Sequence, residues 1–427
     1  MKFNKWTVGL AAAGVVSLAS AAQAEEQTAN TVLTALSSTT LSGYVDTSAQ
    51  WNLGTGNRNN PPYKFGGDSK ADGFNLNVVQ VSIAKPLDES PWAAGYHVDL
   101  WFGPDANTLG TASPNSFFTS GDFAIRQAYV ALRTPIGNGI DWKIGVFDSI
   151  IGYESVASPQ DPNYTRSYGH SIEPQTHTGI LGSYRINDNV SIAAGIANTV
   201  GPSINSRAFG TTFDSDTDLG GKKAESYKTY MGSIALTAPD NWDFLSGSTL
   251  YAGVVNGYND NENGTDYGEN STSWYVGSTL ATPVTGLRVG AAFDYLDIHR
   301  WSHDTDGAPN DGNVWALALY SSYQATEKLS LHLRGEYLDD QAFFFNLANG
   351  GDGFSGPFRG DEGEAFKVYA VTATVQYDLW KNVLSRLEFR WDHSDSGKVF
   401  GNNPNTSSFA PTRKNAYMLA ANIIYKF

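Results

Sequence analysis

The sequence predicts an all-β fold: a transmembrane antiparallel β-barrel of about 16 strands, within a range of roughly 14 to 18, with short periplasmic turns and long extracellular loops. Three observations carry this. Apolar residues alternate with period two, short and long connections alternate along the chain, and aromatic residues pair at a spacing of eight on one strand face.

The alternation is clearest in the last stretch. Tyr417, Leu419, Ala421, Ile423, Tyr425 and Phe427 form an unbroken apolar face, opposed by Ala416, Met418, Ala420, Asn422, Ile424 and Lys426. Period two marks a strand. An outer face that is wholly apolar, with a smaller and partly polar inner one, suits a wall between lipid and water. No segment after the N-terminal stretch approaches 18 consecutive apolar residues, so transmembrane helices are not expected. Barrel strands escape hydropathy tests because each averages its two faces.

The N-terminal residues set the compartment. Lys2 and Lys5 precede the apolar run Val8 to Ala22, and Ala22-Gln23-Ala24 has the small-x-small pattern of a cleavage site. Residues 1–24 therefore read as a secretory signal peptide, residues 25–40 as a periplasmic N-terminal segment and residues 41–427 as an outer-membrane barrel. Removing Lys2 and Lys5 from the 28 basic residues leaves 26 against 43 acidic ones, a net charge of −17. That balance excludes nucleic acid as a partner. Cysteine is absent, so neither disulfides nor a thiolate metal site can hold the fold.

Candidate strands lie near 41–53, 74–84, 92–103, 122–133, 140–150, 176–186, 189–200 and 226–237. A second set lies near 248–258, 272–282, 286–298, 313–323, 329–339, 364–379, 382–394 and 415–427. Between them run short links such as "TPIGNG", "IND", "ATEK" and "WK", alternating with long stretches rich in Gly, Asn and Asp. This sorting closes an even-numbered barrel with both strand ends of the chain on the short-turn side. Trp315 and Tyr323, Tyr369 and Tyr377, and Tyr417 and Tyr425 are each eight residues apart on outward faces. At about 3.3 Å per residue and a tilt of about 40°, that spacing spans roughly 20 Å, the separation expected of two aromatic girdles.

The inward faces carry charge. Arg386, Glu388, Arg390 and Asp392 oppose Leu387, Phe389 and Trp391; His332, Arg334 and Glu336 oppose Leu331, Leu333 and Tyr337; Arg288 and Asp294 oppose Val289, Ala291 and Phe293. Unpaired buried ions are costly, so these rows need water or each other. They read as pore-lining, either as a structural ion-pair ladder or in direct contact with solute. The strand near 122–133 resists phasing: one of Arg126 and Gln127 must face outward unless it lies at the membrane edge.

The third long connection, 151–175, is rich in Tyr, Arg and Pro, as expected of a loop that packs on something. An inward fold that narrows the pore and an outward cap on other loops both fit. In the first case Glu154, Asp161, Arg166 and Tyr168 would meet solute.

The stretches "GVFDSIIGYE" (145–154), "NYTRSYG" (163–169), "HTGILGSY" (177–184) and "VVNGY" (254–258) are similar to the pattern of the OmpL-like outer-membrane beta-barrel porin family, as are the strand "RLEFRWDHSD" and the terminal aromatic Phe427. The resemblance implies an outer-membrane channel and supplies no substrate.

Other chemistry is poorly supported. Asp214, Asp216 and Asp218, and Asp304, Asp306 and Asp311, lack the Gly and Glu positions of a Ca2+ loop and read as solvated acidic loops. No His-Glu-x-x-His or Gly-x-Ser-x-Gly motif occurs. The function expected is therefore passive diffusion of small hydrophilic solutes or ions, weakly cation-selective because of the acidic surplus, with no enzyme activity and no cofactor. The alternatives are an outer-membrane lipase or protease and a non-conducting adhesive barrel. Expected partners are outer-membrane lipid, the barrel-assembly machinery through Phe427, and further copies in a homotrimer, the last by analogy with the architecture.

Overall fold

A computed structural model describes residues 38–54, 56–111, 121–208, 226–259, 270–299, 311–342, 344–347, 366–402 and 411–427. The signal-peptide reading, most of the 25–40 segment, and Asp214, Asp216, Asp218, Asp304 and Asp306 lie outside the described residues.

Sixteen strands form one closed barrel in which each pairs with its sequence neighbours and β1 pairs with β16. They are β1 (Thr40–Asn52), β2 (Gly73–Lys85), β3 (Ala94–Phe102), β4 (Phe123–Thr134), β5 (Ile140–Asp148), β6 (Thr176–Arg185), β7 (Val190–Ala197) and β8 (Thr229–Thr237). The remainder are β9 (Thr249–Tyr258), β10 (Asn270–Ala281), β11 (Leu287–His299), β12 (Asp311–Gln324), β13 (Leu329–Asp340), β14 (Phe366–Trp380), β15 (Val383–Ser394) and β16 (Asn415–Lys426). Every pairing is antiparallel. Among the described residues no helix is long and apolar enough to cross a membrane.

The apolar faces point outward. Leu331, Leu333, Val371, Val375, Leu387, Phe389, Ile423 and Tyr425 are all exposed, as a surface solvated by lipid tails requires. Near the extracellular ends the rings form a chain across neighbouring strands: Phe293 to Trp315 at 6.1 Å, Trp315 to Tyr337 at 5.1 Å and Tyr337 to Tyr369 at 4.8 Å between centroids. Tyr323, Tyr377 and Tyr425 are exposed at the opposite ends of their strands.

The β1–β16 pairing that closes the barrel extends to Phe427. Phe427 and Gly43 exchange two backbone hydrogen bonds of 2.9 Å, and the Phe427 ring lies over Gly43, where a Cβ would approach it to 2.7 Å. Glycine is needed there because the Gln80 carbonyl oxygen and the Phe427 ring together occupy the side-chain position.

The strand that resists phasing contains a β-bulge. Asp99 pairs with Gln127 and Leu100 with Ile125, so Arg126 is the extra residue. Both Arg126 and Gln127 are buried on the inner side, which corrects the expectation that one of them faces outward. Strict alternation fails wherever two consecutive residues share a face.

Candidate functional site

The long connection between β5 and β6, L3 (149–175), enters the barrel. Its first turn is apolar: Ile150 and Ile151 join Phe147, Leu181, Met231 and Val255 in a buried cluster. The wall there is lined by small residues, Ala193, Gly195, Ala197 and Gly253, so the loop can approach closely; a Cβ on Gly253 would meet Ile151 at 2.7 Å. Gly152, at φ 126°, supplies a backbone conformation that other residues rarely adopt. Tyr153 then stacks on Tyr320 of β12 at 4.0 Å and is within 3.2 Å of the Thr279 hydroxyl of β10.

Beyond Tyr153 the loop lies along the charged wall of β13–β15, and the wall charges become its ligands. Arg334 Nη1 donates to Glu154 at 2.7 Å and to the Thr165 carbonyl at 2.7 Å, while its Nε reaches Glu336 at 2.7 Å. Glu388 accepts from the backbone N–H of Tyr164 and Thr165 at 2.6 and 2.9 Å and from the Thr165 hydroxyl at 2.6 Å. Arg386 donates to the carbonyls of Ser158 and Asn163 at 2.7 and 3.1 Å, and Arg390 to that of Arg166 at 2.8 Å. A short helix, α2 (Tyr168–Ile172; α1 is Pro104–Leu109 in the loop after β3), is capped by Ser167. The Tyr168 N–H donates to Glu336 and its hydroxyl to Asp392, both at 2.7 Å. Burial, and then the Asp392 carboxylate, push the Tyr168 phenol well above its ordinary range, so it stays a donor.

The inward charges named from the sequence face the interior, and all but Arg288 are buried rather than lining open water. Arg334, Arg390 and Glu388 are 0 % exposed, and Asp294, His332, Glu336, Arg386 and Asp392 are also buried; Arg288 keeps partial exposure. L3 covers them because a guanidinium or carboxylate row inside the wall offers the hydrogen bonds that loop backbone needs away from solvent. Glu154, Asp161, Arg166 and Tyr168 are buried as well, so these loop groups face the wall and one another. Arg166 pairs with Asp161 at 3.1 Å. His332 Nδ1 lies 2.9 Å from the Ser322 hydroxyl.

Sequence reasoning missed a second layer. The first long connection, L1 (53–72), also turns inward: the Tyr63 ring lies 4.5 Å from the Arg390 guanidinium, and Tyr168 lies on it at 4.9 Å. Phe65 packs on Trp101 at 5.6 Å and beneath Arg166 at 5.6 Å. Lys70 of L1 pairs with Asp105 of α1 at 2.5 Å. On the wall of β3–β5, Arg126 bridges Asp99, at 2.6 Å, and Asp148. The broken alternation at Arg126-Gln127 was the available signal for that cluster.

The partly exposed inner wall is elsewhere. Lys143, Asp141, Tyr129 and His97 on β3–β5, with Thr279, Arg288, Ser322 and Gln376 on β10–β14, retain intermediate exposure. Lys143 lies 5.0 Å over the Tyr129 ring and makes no ion pair among the described residues. Among the described residues no three His, Asp or Glu side chains are placed to hold a metal ion.

Comparison with known proteins agrees with this architecture. Residues 38–427 match the family described as "Putative beta-barrel porin-2, OmpL-like". An anion-selective porin from Comamonas acidovorans superposes with a TM-score of 0.56 at 10 % identity, over 91 % of this chain and 99 % of that one. The outer-membrane channel DcaP of Acinetobacter baumannii gives 0.56 at 12 % identity, over 91 % and 97 %. OmpT of Vibrio cholerae, an outer-membrane protein in its trimer form, gives 0.54 at 12 % identity, over 91 % and 99 %. No curated protein sequence matches this chain.

Proposed function

Since this chain belongs to the OmpL-like beta-barrel porin family and resides in the bacterial outer membrane, we propose that it is a passive, weakly cation-selective diffusion channel for small hydrophilic solutes or ions. The observation that carries this reading is the closed sixteen-strand barrel with L3 folded against one inner wall. A loop clamped to β13–β15 narrows the lumen and leaves the partly exposed wall of Lys143, Asp141 and Tyr129 beside it as the solute path. The inward rows of Arg334, Glu336, Arg386, Glu388, Arg390 and Asp392 set the constriction by holding L3. Transport of this kind runs down a gradient with no bond made or broken, so the protein works as a channel without catalysis or cofactor. Cation preference follows from the acidic surplus of the chain, 43 acidic against 28 basic residues.

Single-channel recording of the refolded protein in a planar bilayer tests the channel, with heat-denatured protein as control. Stable open steps are expected, and a reversal potential of cationic sign under a KCl gradient; clear anion selectivity would sink the preference. The burial of Arg334, Arg390 and Glu388 favours a second reading, a barrel plugged by L3, and a folded protein that never conducts would establish it. Phe427 serves as the mark read by the barrel-assembly machinery, so its deletion should reduce the heat-modifiable barrel in the outer membrane. Assembly as a homotrimer is tested by the mass of the native species in mild detergent.

A further inference from the structure

At one point L3 meets the wall without a basic residue. Glu173, just after α2, and Asp294, on the inner face of β11, are neighbouring carboxyls of loop and wall, and neither forms an ion pair with Arg or Lys among the described residues. Asp294 is 4 % exposed, as is the Glu173 side chain. Glu173 Oε2 lies against Gly152, where a Cβ would approach it to 2.5 Å, and Asp294 Oδ2 lies against Gly169 in the same way. The two loop glycines thus make room for the two carboxyls. Asp294 Oδ1 has no hydrogen-bond partner among the described residues.

The groups facing the pair supply no positive charge. Glu154 and Asp161 of L3 face it, but Glu154 is engaged by Arg334 and Asp161 by Arg166. Tyr275 faces it from β10. His170 Nδ1 lies 3.7 Å from Glu173 Oε2, and burial, then Arg166, hold that imidazole well below its ordinary range and therefore neutral. Two carboxyl groups can hydrogen-bond only if one keeps its proton and donates to the other. Burial first, and then Asp294, push Glu173 well above the usual carboxyl range.

We propose that Glu173 and Asp294 form a proton-dependent latch that holds the C-terminal arm of L3, residues 166–175, against β11. At alkaline pH the shared proton passes to solvent, two carboxylates then face each other in a buried site, and the arm is released, widening the lumen. The sign follows from linkage: a carboxyl raised in the folded state stabilises the latched form below its unfolded pKa, and that contribution is lost as pH rises through the folded value. The gain in conductance rests on the channel reading above; the release of the arm does not.

The test is hydrogen–deuterium exchange of the full refolded protein from about pH 5 to pH 9, corrected for intrinsic rate and read on peptides covering 166–175, alongside single-channel conductance. In the native protein, protection of the arm should fall by about tenfold per pH unit above the latch pKa, and conductance should rise over the same window. Glu173→Gln keeps a donor toward Asp294 at every pH and should flatten both profiles. Should that variant fail to fold, Asp294→Asn offers the donor from the wall and gives the same readout. Flat protection in the native protein, or an unchanged profile in the folded variant, would overturn the latch. Falling protection in a barrel that never conducts would keep the latch and remove the channel.

Discussion

Glu388 shows how a single side chain holds a loop. Besides its three bonds to Tyr164 and Thr165, its carboxylate accepts from the Thr374 hydroxyl at 2.7 Å, and it has no exposed surface. Glu388→Ala would leave two backbone N–H groups and two hydroxyls without that acceptor. Each unsatisfied buried donor costs about 1–3 kcal/mol, so the loss is several kcal/mol even after relaxation. The expected outcome is a lower temperature for the heat-modified gel shift and noisier single-channel current; an unchanged shift temperature would mean that L3 is anchored elsewhere. The inward direction of Glu388 was legible, because alternation with Leu387 and Phe389 leaves no other choice. Its loop partners were not, because they lie more than two hundred positions away, with Thr165 and Glu388 separated by 223 residues. Nothing local in "NYTRSYG" says which wall it will meet.

At the scale of elements, strands were read closely because each one carries its own evidence in a two-residue period. The strand expected near 329–339 is Leu329–Asp340, and that near 140–150 is Ile140–Asp148. The bulge at Arg126 marks the limit of that evidence, since an extra residue breaks the period while keeping the strand. It also places a guanidinium between Asp99 and Asp148. Arg126→Leu would leave both carboxylates facing one another inside the wall, and removing one partner of a buried ion pair costs about 3–5 kcal/mol. Reduced yield of folded barrel is expected, with partial rescue by Arg126→Leu combined with Asp99→Asn. A lone Arg126→Leu protein as stable as the native one would show that the cluster is solvated. Loop paths were open in the sequence because backbone that leaves a sheet must find donors and acceptors somewhere, and either the lumen or the other loops could provide them.

For the molecule as a whole, the inward charges divide into those that hold L3 and those that face the remaining space, and this division predicts where selectivity resides. Arg390 binds the Arg166 carbonyl and Asp392 and is sandwiched between Tyr63 and Tyr168. Reversing its charge should therefore damage folding before it changes the current. Lys143 instead lies on the partly exposed wall of β5 with an aromatic ring as its neighbour and no carboxylate within ion-pair distance among the described residues. A charge left unpaired beside water acts on passing ions through the low-dielectric wall around it. Lys143→Glu should thus shift the reversal potential under a KCl gradient further toward cations, while leaving the heat-modified gel shift within a few degrees of the native value, since substitutions away from buried networks change stability by about 0.5 kcal/mol or less. Salt should weaken the shift, because ions at about 1 M screen charges beyond roughly 3 Å. If the potential stays put while conductance persists, the ions take another route, and the exposed wall near Arg288 and Ser322 becomes the place to reverse charge next.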